Sequence, residues 1–424
     1  RLYPRSVGRV AAPRILGGAG RRVSCIEDLF KEVYNCSPTH RVRVPGRVNL
    51  IGEHIDYNGL PVFPMALQRA VRIVFRPRND SMVVLHSSDE RFPPIEFEIG
   101  PKIERWSKGS WGNYVKAPAK ELACRFEIQR GFDGMLQSDI PVAAGLSSSS
   151  AIVNAVGLAL AHVNDVLAEP GEFAVLMSEA ELFVGTRGGG MDQAISLGAK
   201  DDSAAKISFN PIRLQYVTVP DDWCFIIADS GEIAEKSGSL QVEYNLRRTQ
   251  CEKALQVISA KLLKQGVTEG LYESYQELCA SLDAEVLLDF AEKFLTETEH
   301  RCFRHVVTEA GRVEAAVERM LASDIRGFGA YMNASHDSLK TDYQVSTEAL
   351  DELVQVAREG GAVGARLTGA GFGGCVVALV ERRRTSDALG VLRAEYYERR
   401  GRKNQMDESL FIAVPSRGAS VQVI

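Results

Sequence analysis

Residues 141–151 read Pro-Val-Ala-Ala-Gly-Leu-Ser-Ser-Ser-Ser-Ala, and a run rich in Ala, Leu and Val continues to residue 167. The length and composition of that run predict a buried helix, entered from a loop of small residues. The first turn of a helix has backbone N–H groups without partners and partial positive charge, so it attracts anions. Phosphate binding is therefore predicted at one loop, called the serine loop below: Gly145, Leu146, Ser147, Ser148, Ser149, Ser150 and Ala151.

A simpler explanation of the serine loop is a helix N-cap, for which serine is a common residue. An N-cap needs one serine, whereas four follow Gly145 in this chain. The sequence has no G-x-x-x-x-G-K-[ST] motif, which excludes a Walker-type phosphate loop. The pattern favours phosphate binding over capping alone.

A dense polar cluster lies in residues 46–59, which read Gly-Arg-Val-Asn-Leu-Ile-Gly-Glu-His-Ile-Asp-Tyr-Asn-Gly. Glu53, His54 and Asp56 can each exchange hydrogen bonds with sugar hydroxyls. A polar surface turn is the alternative, but the apolar residues within 48–51 predict a buried support for the cluster. A metal site is less favoured, because no second histidine lies nearby.

Two glycine-rich segments follow later in the chain. Residues 185–193 read Gly-Thr-Arg-Gly-Gly-Gly-Met-Asp-Gln, and their one acid, Asp192, is a candidate general base for a hydroxyl or a group that orients it. Taken alone, a helix N-cap is at least as common a role for such an aspartate. Residues 367–375 read Leu-Thr-Gly-Ala-Gly-Phe-Gly-Gly-Cys and offer backbone N–H groups close to a ligand, which is a weak signal alone.

The composition is that of a globular protein, with 45% hydrophobic and 25% charged residues and a net charge of −5. That charge argues against a general nucleic-acid binder, and no apolar run reaches the length of a membrane span. The eight cysteines form no C-x-x-C pair, which indicates reduced thiols in a cytoplasmic protein.

The residue pattern along the chain predicts a mixed α/β protein of two domains. A strand at 41–44 is expected to end at Pro45 and Gly46. Helices are predicted at 112–126, 243–265, 285–298, 325–338 and 347–359, and the last strand at 410–414. Composition changes near Pro211, so we predict an N-terminal domain at 25–211 and a C-terminal domain at 212–424. Residues 1–24 contain several arginines and no acid, and we predict that they form a disordered tail.

Four motifs in this order resemble those of the GHMP kinase superfamily, and within it the galactokinase group. They are G-R-V-N-L-I-G-E-H-I-D-Y at 46–57, G-L-S-S-S-S-A at 145–151, G-G-G-M-D-Q at 188–193 and T-G-A-G-F-G-G-C at 368–375. The resemblance covers about residues 38 to 420. It implies an α+β fold with a ribosomal-S5-like N-terminal domain and a ferredoxin-like C-terminal domain, and an active site between them.

The resemblance also implies transfer of the ATP γ-phosphate to the C1 hydroxyl of a galactose-type sugar. Its catalytic residues correspond to Asp192 and Arg47. Sugar contacts correspond to Glu53, His54, Asp56, Gly189 and Tyr244. The serine loop corresponds to the ATP-binding motif, and a Mg²⁺ ion is expected at Ser149 and Glu181, with Glu179 as the alternative glutamate.

Two other functions fit the same motifs. Ile55 and Gly188–Gly190 resemble the corresponding residues of N-acetylgalactosamine kinases. A glycine in place of a larger residue would make room for the acetamido group of that sugar. Tyr244 and residues 342–346 instead resemble galactokinases and favour galactose. A sugar- and ATP-binding sensor without activity is the other alternative, although Asp192 and Arg47 are both present. Sugar and ATP are the expected partners, without nucleic acid or membrane, in a monomer or weak oligomer. Trp106 and Trp111 are candidates for stacking on adenine, although core packing is the more common use of tryptophan.

Overall fold

The computed structural model describes residues 25–233, 240–402 and 406–424. The predicted tail at 1–24 lies outside these residues. No helix within the described ranges is both long enough and apolar enough to cross a bilayer.

Helices and strands alternate irregularly along the chain. The helices are α1 (Ile26–Tyr34), α2 (Gly112–Phe126), α3 (Ser148–Val163), α4 (Pro170–Ala180), α5 (Met191–Gly198), α6 (Leu240–Lys264), α7 (Tyr275–Ser281), α8 (Ala284–Phe294), α9 (Glu297–Leu321), α10 (Ile325–Thr341), α11 (Glu348–Glu359), α12 (Thr385–Val391) and α13 (Met406–Ser409). The strands are β1 (His40–Asn49), β2 (Pro64–Pro77), β3 (Met82–Ser87), β4 (Ile95–Glu98), β5 (Phe132–Ser138), β6 (Ser203–Ser208), β7 (Arg213–Thr218), β8 (Trp223–Asp229), β9 (Gly364–Leu367), β10 (Cys375–Glu381), β11 (Leu410–Ala413) and β12 (Ser420–Val423).

Two main sheets organise these elements. The first has the strand order β12-β1-β2-β5-β3-β4 and is antiparallel except where β3 pairs with β5. The second has the order β11-β8-β10-β9 and is antiparallel throughout. Strands β6 and β7 form a separate hairpin. The last strand, β12, returns to the first sheet and pairs with β1. The last strand of the chain therefore lies next to the first.

Helix α3 is the helix predicted after the serine loop. Its residues from Val153 to Ala161 are all buried, in agreement with the even apolar run in the sequence. It packs on β1 and β2 and is covered by α2, α4 and α5. Enclosure on every side explains why the run shows no polar face.

The prediction that Pro45 and Gly46 end the first strand is wrong. Strand β1 continues through both residues to Asn49, with a shift of register between Pro45 and Arg47. A bulge of this kind bends the strand and redirects the side chains that follow it. Here the bulge places the backbone N–H of Arg47 3.2 Å from the carbonyl oxygen of Leu146 in the serine loop.

Helix α9 was missed by the sequence prediction, which ended a helix at 298 and resumed at 325. Its first turn carries a complete capping box between Thr296 and Glu299. Its buried side chains recur at helical spacing, including Phe303, Val306 and Val313. Both signals were present in the sequence and define this helix.

Candidate active site

A cleft between the two main sheets brings together residues from six separate segments. The predicted catalytic, sugar-binding and metal residues that line it are Arg47, Glu53, His54, Asp56, Glu181, Gly189, Asp192 and Tyr244. They come from β1 and the loop after it, the turn after α4, the loop before α5, α5 itself, and α6. The fold therefore assembles them from positions that are far apart in sequence.

Asp192 and Arg47 form a largely buried ion pair. Arg47 Nε donates to Asp192 Oδ1 at 2.8 Å, and the two side chains are 2% and 13% exposed. Burial tends to lower the pKa of Arg47, but Asp192, Glu53 and Asp56 outweigh it and raise that pKa. Arg47 therefore remains a cation beside Asp192, which favours the ionised carboxylate.

The N-cap interpretation of Asp192 is wrong. Helix α5 begins at Met191, and Gly190 occupies the N-cap position, so Asp192 lies inside the first turn. Its Oδ2 faces the serine loop, where Ser150 Oγ is 3.5 Å away. Arg47 reaches the same loop, because its Nη1 donates to the carbonyl oxygen of Gly145 at 2.6 Å. The ion pair thus lies between the polar cluster of Glu53, His54 and Asp56, predicted to bind a sugar, and the predicted phosphate site.

The serine loop enters α3 without a side-chain cap. Ser147 occupies the N-cap position in a left-handed conformation, with φ 61°, and its side chain caps no backbone N–H. Within the described ranges, its buried Oγ also has no hydrogen-bond partner. Leaving a buried hydroxyl unsatisfied costs about 1–3 kcal/mol, so capping alone does not explain this serine. A phosphate oxygen at the helix N-terminus would satisfy it.

The carboxylate of Glu53 is held mainly by protein groups. It accepts hydrogen bonds from Gly369 N at 2.6 Å, Asn49 Nδ2 at 2.9 Å and Thr368 Oγ1 at 3.2 Å. Arg366 Nη1 lies 3.7 Å from the same carboxylate. Glu53 therefore joins the loop after β1 to the loop after β9, and at most a small part of its acceptor capacity remains for a sugar.

His54 is oriented by hydrogen bonds on both ring nitrogens. Its Nε2 lies 3.1 Å from the carbonyl oxygen of Ala370, and its Nδ1 lies 2.9 Å from the hydroxyl of Tyr57. A carbonyl can only accept, so Nε2 carries the proton and Nδ1 accepts from Tyr57. The Tyr57 hydroxyl is itself 2.6 Å from that of Tyr343, and burial raises the pKa of Tyr57. This chain of hydrogen bonds fixes the ring plane of His54.

Asp56 and Gly189 touch each other directly. Gly189 N donates to Asp56 Oδ2 at 3.1 Å. A Cβ atom at Gly189 would lie 2.2 Å from the carbonyl carbon of Asp56 and 2.3 Å from the nitrogen of Tyr57. The glycine therefore permits close backbone contact and leaves no room for a sugar substituent. Gly188 differs, because no described heavy atom lies within 4 Å of the position a Cβ would take there.

Tyr244 reaches the cleft from α6. It is 7% exposed and packs on Tyr57 and Ala370. Its ring centroid is 5.6 Å from those of both His54 and Tyr57. Burial, reinforced by Asp56 and Asp192, raises the pKa of its hydroxyl well above the ordinary value, so the group is a hydrogen-bond donor at neutral pH.

The two candidate metal-binding glutamates occupy different environments. Glu181 is buried in a short 3-10 helix, residues 181–184, and lines the cleft. Glu179 is exposed, and it accepts a hydrogen bond from Arg125 Nη2 at 2.8 Å on the surface. No group of three or more His, Cys, Asp or Glu side chains within the described ranges is arranged to hold a metal ion. Glu181 and the half-buried Ser149 each carry oxygen of the kind that Mg²⁺ prefers, and their role as its ligands stays a prediction.

The two tryptophans considered for adenine stacking are placed differently. Trp106 is 39% exposed and lines a second cavity of about 320 Å³, which also includes Tyr114 and Phe183. Lys116 Nζ lies 4.4 Å from the Trp106 ring centroid. Trp111 donates its indole N–H to the carbonyl oxygen of Pro93 and packs on Phe92, in a structural role.

The sequence prediction assigned no role to several residues that support the cleft. Tyr57 and Tyr343 orient His54, while Thr368 and Arg366 contact Asn49, the last residue of β1. Tyr57, Tyr343 and Thr368 stand in sequence motifs that were considered for other reasons. The contacts themselves join segments that are far apart in sequence, so no local sequence pattern predicts them.

Comparisons with known proteins agree with the motifs. Three family models match: the galactokinase galactose-binding signature at residues 28–77, the GHMP kinases N-terminal domain at 113–199 and the GHMP kinases C-terminal domain at 314–398. The chain is 37% identical over 385 residues to a galactokinase of Chloroflexus aurantiacus, covering 90% of this chain and 94% of the relative. It is 34% identical over 397 residues to a galactokinase of Actinobacillus succinogenes, with coverage of 92% and 97%.

Solved structures give the same result. The crystal structure of Lactococcus lactis galactokinase complexed with galactose superposes with a TM-score of 0.80 at 30% identity, covering 93% of this chain and 98% of that one. Mevalonate kinase of Methanococcus jannaschii, at 19% identity and a TM-score of 0.54, covers 91% of this chain and 98% of its own and shares the fold alone. The predicted α+β GHMP kinase fold, with its ribosomal-S5-like and ferredoxin-like domains, is confirmed. The boundary at residues 211 and 212 stays a prediction.

Proposed function

Because the chain belongs to the galactokinase family of GHMP kinases, we propose that it transfers the γ-phosphate of ATP to the C1 hydroxyl of galactose, giving galactose 1-phosphate and ADP. The observation that carries the proposal is the buried Arg47–Asp192 pair, placed between the sugar-binding cluster and the serine loop. Family membership supplies ATP as the co-substrate, and the relatives named above support galactose as the acceptor.

The Asp192 carboxylate is proposed to orient the C1 hydroxyl and accept its proton as the oxygen attacks phosphorus. Base assistance of this kind contributes about 10²–10⁴-fold to the rate. Arg47 stays charged and keeps the carboxylate ionised, while its own charge lies next to the serine loop. Phosphoryl transfer depends mainly on positioning and on neutralising the phosphate oxygens, and these residues supply both.

The remaining residues are proposed to bind and orient the substrates. His54, Asp56 and Tyr244 line the cleft on the sugar side, together with Glu53 and Gly189. The serine loop presents the N-terminus of α3 and the buried Ser147 hydroxyl to the phosphates. Glu181 and Ser149 would hold Mg²⁺, which neutralises phosphate charge when bound.

A panel of sugars incubated with ATP and Mg²⁺, followed by ADP release, tests the proposal. We expect galactose to give the highest kcat/KM. N-acetylgalactosamine is the second candidate, because Gly188 leaves open space at the cleft. A clear preference for the acetamido sugar would overturn the choice of galactose. Sugar-dependent binding of a partner protein without ADP release would instead identify a sensor.

The eight cysteines are free thiols, six of them buried or partly buried, which supports a reducing compartment. We propose a cytoplasmic location on this basis. A monomer or weak oligomer stays our prediction for the assembly state, to be measured by light scattering.

A further inference from the structure

Helix α9 touches the sugar-binding loop, residues 52–56, from the side away from the cleft. Two fully buried α9 side chains, His305 and Glu309, make the contacts. His305 Nε2 lies 3.0 Å from the carbonyl oxygen of Glu53, and Glu309 Oε1 accepts the backbone N–H of Gly52 at 2.9 Å. The two residues are four positions apart and so lie on one face of the helix.

We propose that His305 and Glu309 are positioning residues, which hold the sugar-binding loop in the conformation that presents His54 and Asp56 to the sugar. The inference rests on the proposed function. Neither residue is among those that line the cleft, so each acts through the backbone of the loop and not by touching a substrate.

The loop has a backbone that needs such support. Gly52 has a φ of 100° and His54 a φ of 63°, both in the left-handed region. For a residue with a side chain, that conformation costs about 1–3 kcal/mol and persists only where its surroundings impose it. A Cβ at Gly52 would lie 2.9 Å from Val313 Cγ2, one further turn along the same face of α9. The loop is therefore pressed closely against this helix.

Glu309 is itself fixed by two further groups. Arg312 Nε lies 2.6 Å from its Oε2, and Ser335 Oγ donates to its Oε1 at 2.5 Å. Burial tends to raise the pKa of Glu309, but Arg312, His305 and Arg366 outweigh burial and bring that pKa to about 2. At neutral pH the group is a carboxylate, and it can only accept the N–H of Gly52.

His305 has the complementary role. Burial lowers its pKa to about 4, so the imidazole is neutral at neutral pH. Its Nε2 faces a carbonyl and must carry the proton, while Nδ1 lies 2.9 Å from Ser338 Oγ. One side chain thus accepts from the loop and the other donates to it, so a shift of the loop by an ångström would break both hydrogen bonds.

The contacts predict an effect on sugar binding that spares the nucleotide. A misplacement of about 1 Å in a binding group can cost up to about 10²-fold in rate. We therefore expect Glu309→Leu and His305→Phe to raise the KM for galactose about tenfold or more, with the KM for ATP within about twofold of the wild type. Glu309→Gln keeps an acceptor for Gly52 N–H and should lie close to the wild type.

The matched control is Glu318→Leu, the same substitution at an exposed position of the same helix. Steady-state kinetics with both substrates are measured for all four variants, and galactose binding is measured by calorimetry, independently of turnover. If Glu309→Leu fails to fold, His305→Phe and Glu309→Gln decide the matter.

A selective rise in the galactose KM and Kd supports the inference. It is overturned if the galactose and ATP constants stay unchanged, or rise by the same factor, in His305→Phe and Glu309→Leu. It is overturned too if Glu309→Gln is as impaired as Glu309→Leu. Wild-type protein that neither binds nor phosphorylates galactose would overturn the proposed function and this inference together.

Discussion

At the scale of single residues, the proposed mechanism depends on the charge of Asp192. Its Oδ1 lies 2.8 Å from Arg47 Nε in a largely buried site. Replacement by Asn keeps the size of the side chain but removes the proposed base and weakens the hydrogen bond to Arg47. We expect Asp192→Asn to lower kcat by about 10²–10⁴-fold while ATP still binds.

The measurement is ADP release together with nucleotide binding by calorimetry. Asp289→Asn is the matched control, because Asp289 is exposed on α8 and, among the described residues, its ion pair is with Lys293 in the same helix. A kcat near that of the wild type in Asp192→Asn would disprove the proposed role of Asp192.

Two neighbouring glycines give a second prediction at this scale. Gly189→Ala places a Cβ about where the backbone of Asp56 and Tyr57 already lies, whereas Gly188→Ala meets open space. We expect Gly189→Ala to raise the galactose KM by about 10-fold or more, because the loop must move away from the sugar. Gly188→Ala should keep the wild-type melting temperature.

Comparing galactose and N-acetylgalactosamine in both variants separates the two explanations of these glycines. If Gly188→Ala selectively impairs the acetamido sugar, Gly188 provides room at the cleft. Equal kinetics in Gly189→Ala and the wild type would contradict the contact described here.

At the scale of elements, the local sequence pattern predicted helices that depend mainly on their own residues. Helix α2 occupies the predicted residues 112–126, and α3 follows the serine loop as expected, because its apolar run is buried on all sides. The bulge in β1 was not predictable from Pro45 and Gly46, because pairing with β2 and contact with the serine loop carry the strand past them. Strand β12 was missed because it exists only through pairing with β1.

The same limit applies to the site. Asp192, Arg47 and the polar cluster stand in motifs, and the sequence placed them in one cleft. The residues that hold them, such as His305, lie on a helix whose pattern was overlooked and whose partners are hundreds of positions away. Glu53 shows the same effect, since its contacts with Thr368 and Gly369 have no local signature.

Helix α9 also predicts how stability varies with pH. The pKa of His305 is lowered to about 4 by burial, below the value of about 6.5 for an exposed histidine. Between these values the unfolded chain binds a proton that the folded chain does not, so the free energy of unfolding falls as pH falls from about 6.5 to 4. Glu309 has a pKa of about 2 in the folded chain, so its contribution to the free energy of unfolding falls as pH drops below about 4.5.

We expect His305 to contribute a loss of about 2 kcal/mol between pH 7 and pH 5. Urea unfolding of the wild type and of His305→Phe at both pH values measures it. The variant should lose less stability than the wild type over this interval, although His336, whose pKa is also lowered to about 4, remains in both proteins. Equal losses in the two proteins would exclude the assignment.

At the scale of the whole molecule, the two main sheets meet through a buried polar joint beside the cleft. Arg366 Nη1 donates to the carbonyl oxygen of Asn49 at 2.9 Å, and Thr368 Oγ1 accepts from Asn49 N at 3.0 Å. Arg366 and Glu53 are both almost fully buried, 3.7 Å apart at the nearest charged atoms. The contacts that hold the sugar-binding loop therefore also join the two main sheets.

This joint predicts that Arg366 is needed for stability and not only for activity. Arg366→Met fills much of the volume of the arginine side chain. It leaves the Glu53 carboxylate buried without the cation that the second main sheet places 3.7 Å away. Removing one partner of a buried ion pair costs about 3–5 kcal/mol, so we expect a loss of this size in the free energy of unfolding. Arg319→Met is the control, since Arg319 is half-exposed and its pair with Asp324 should contribute at most about 1 kcal/mol. Urea unfolding of both variants measures these losses. A similar small loss in the free energy of unfolding of both would show that Arg366 does not stabilise the contact between the two main sheets.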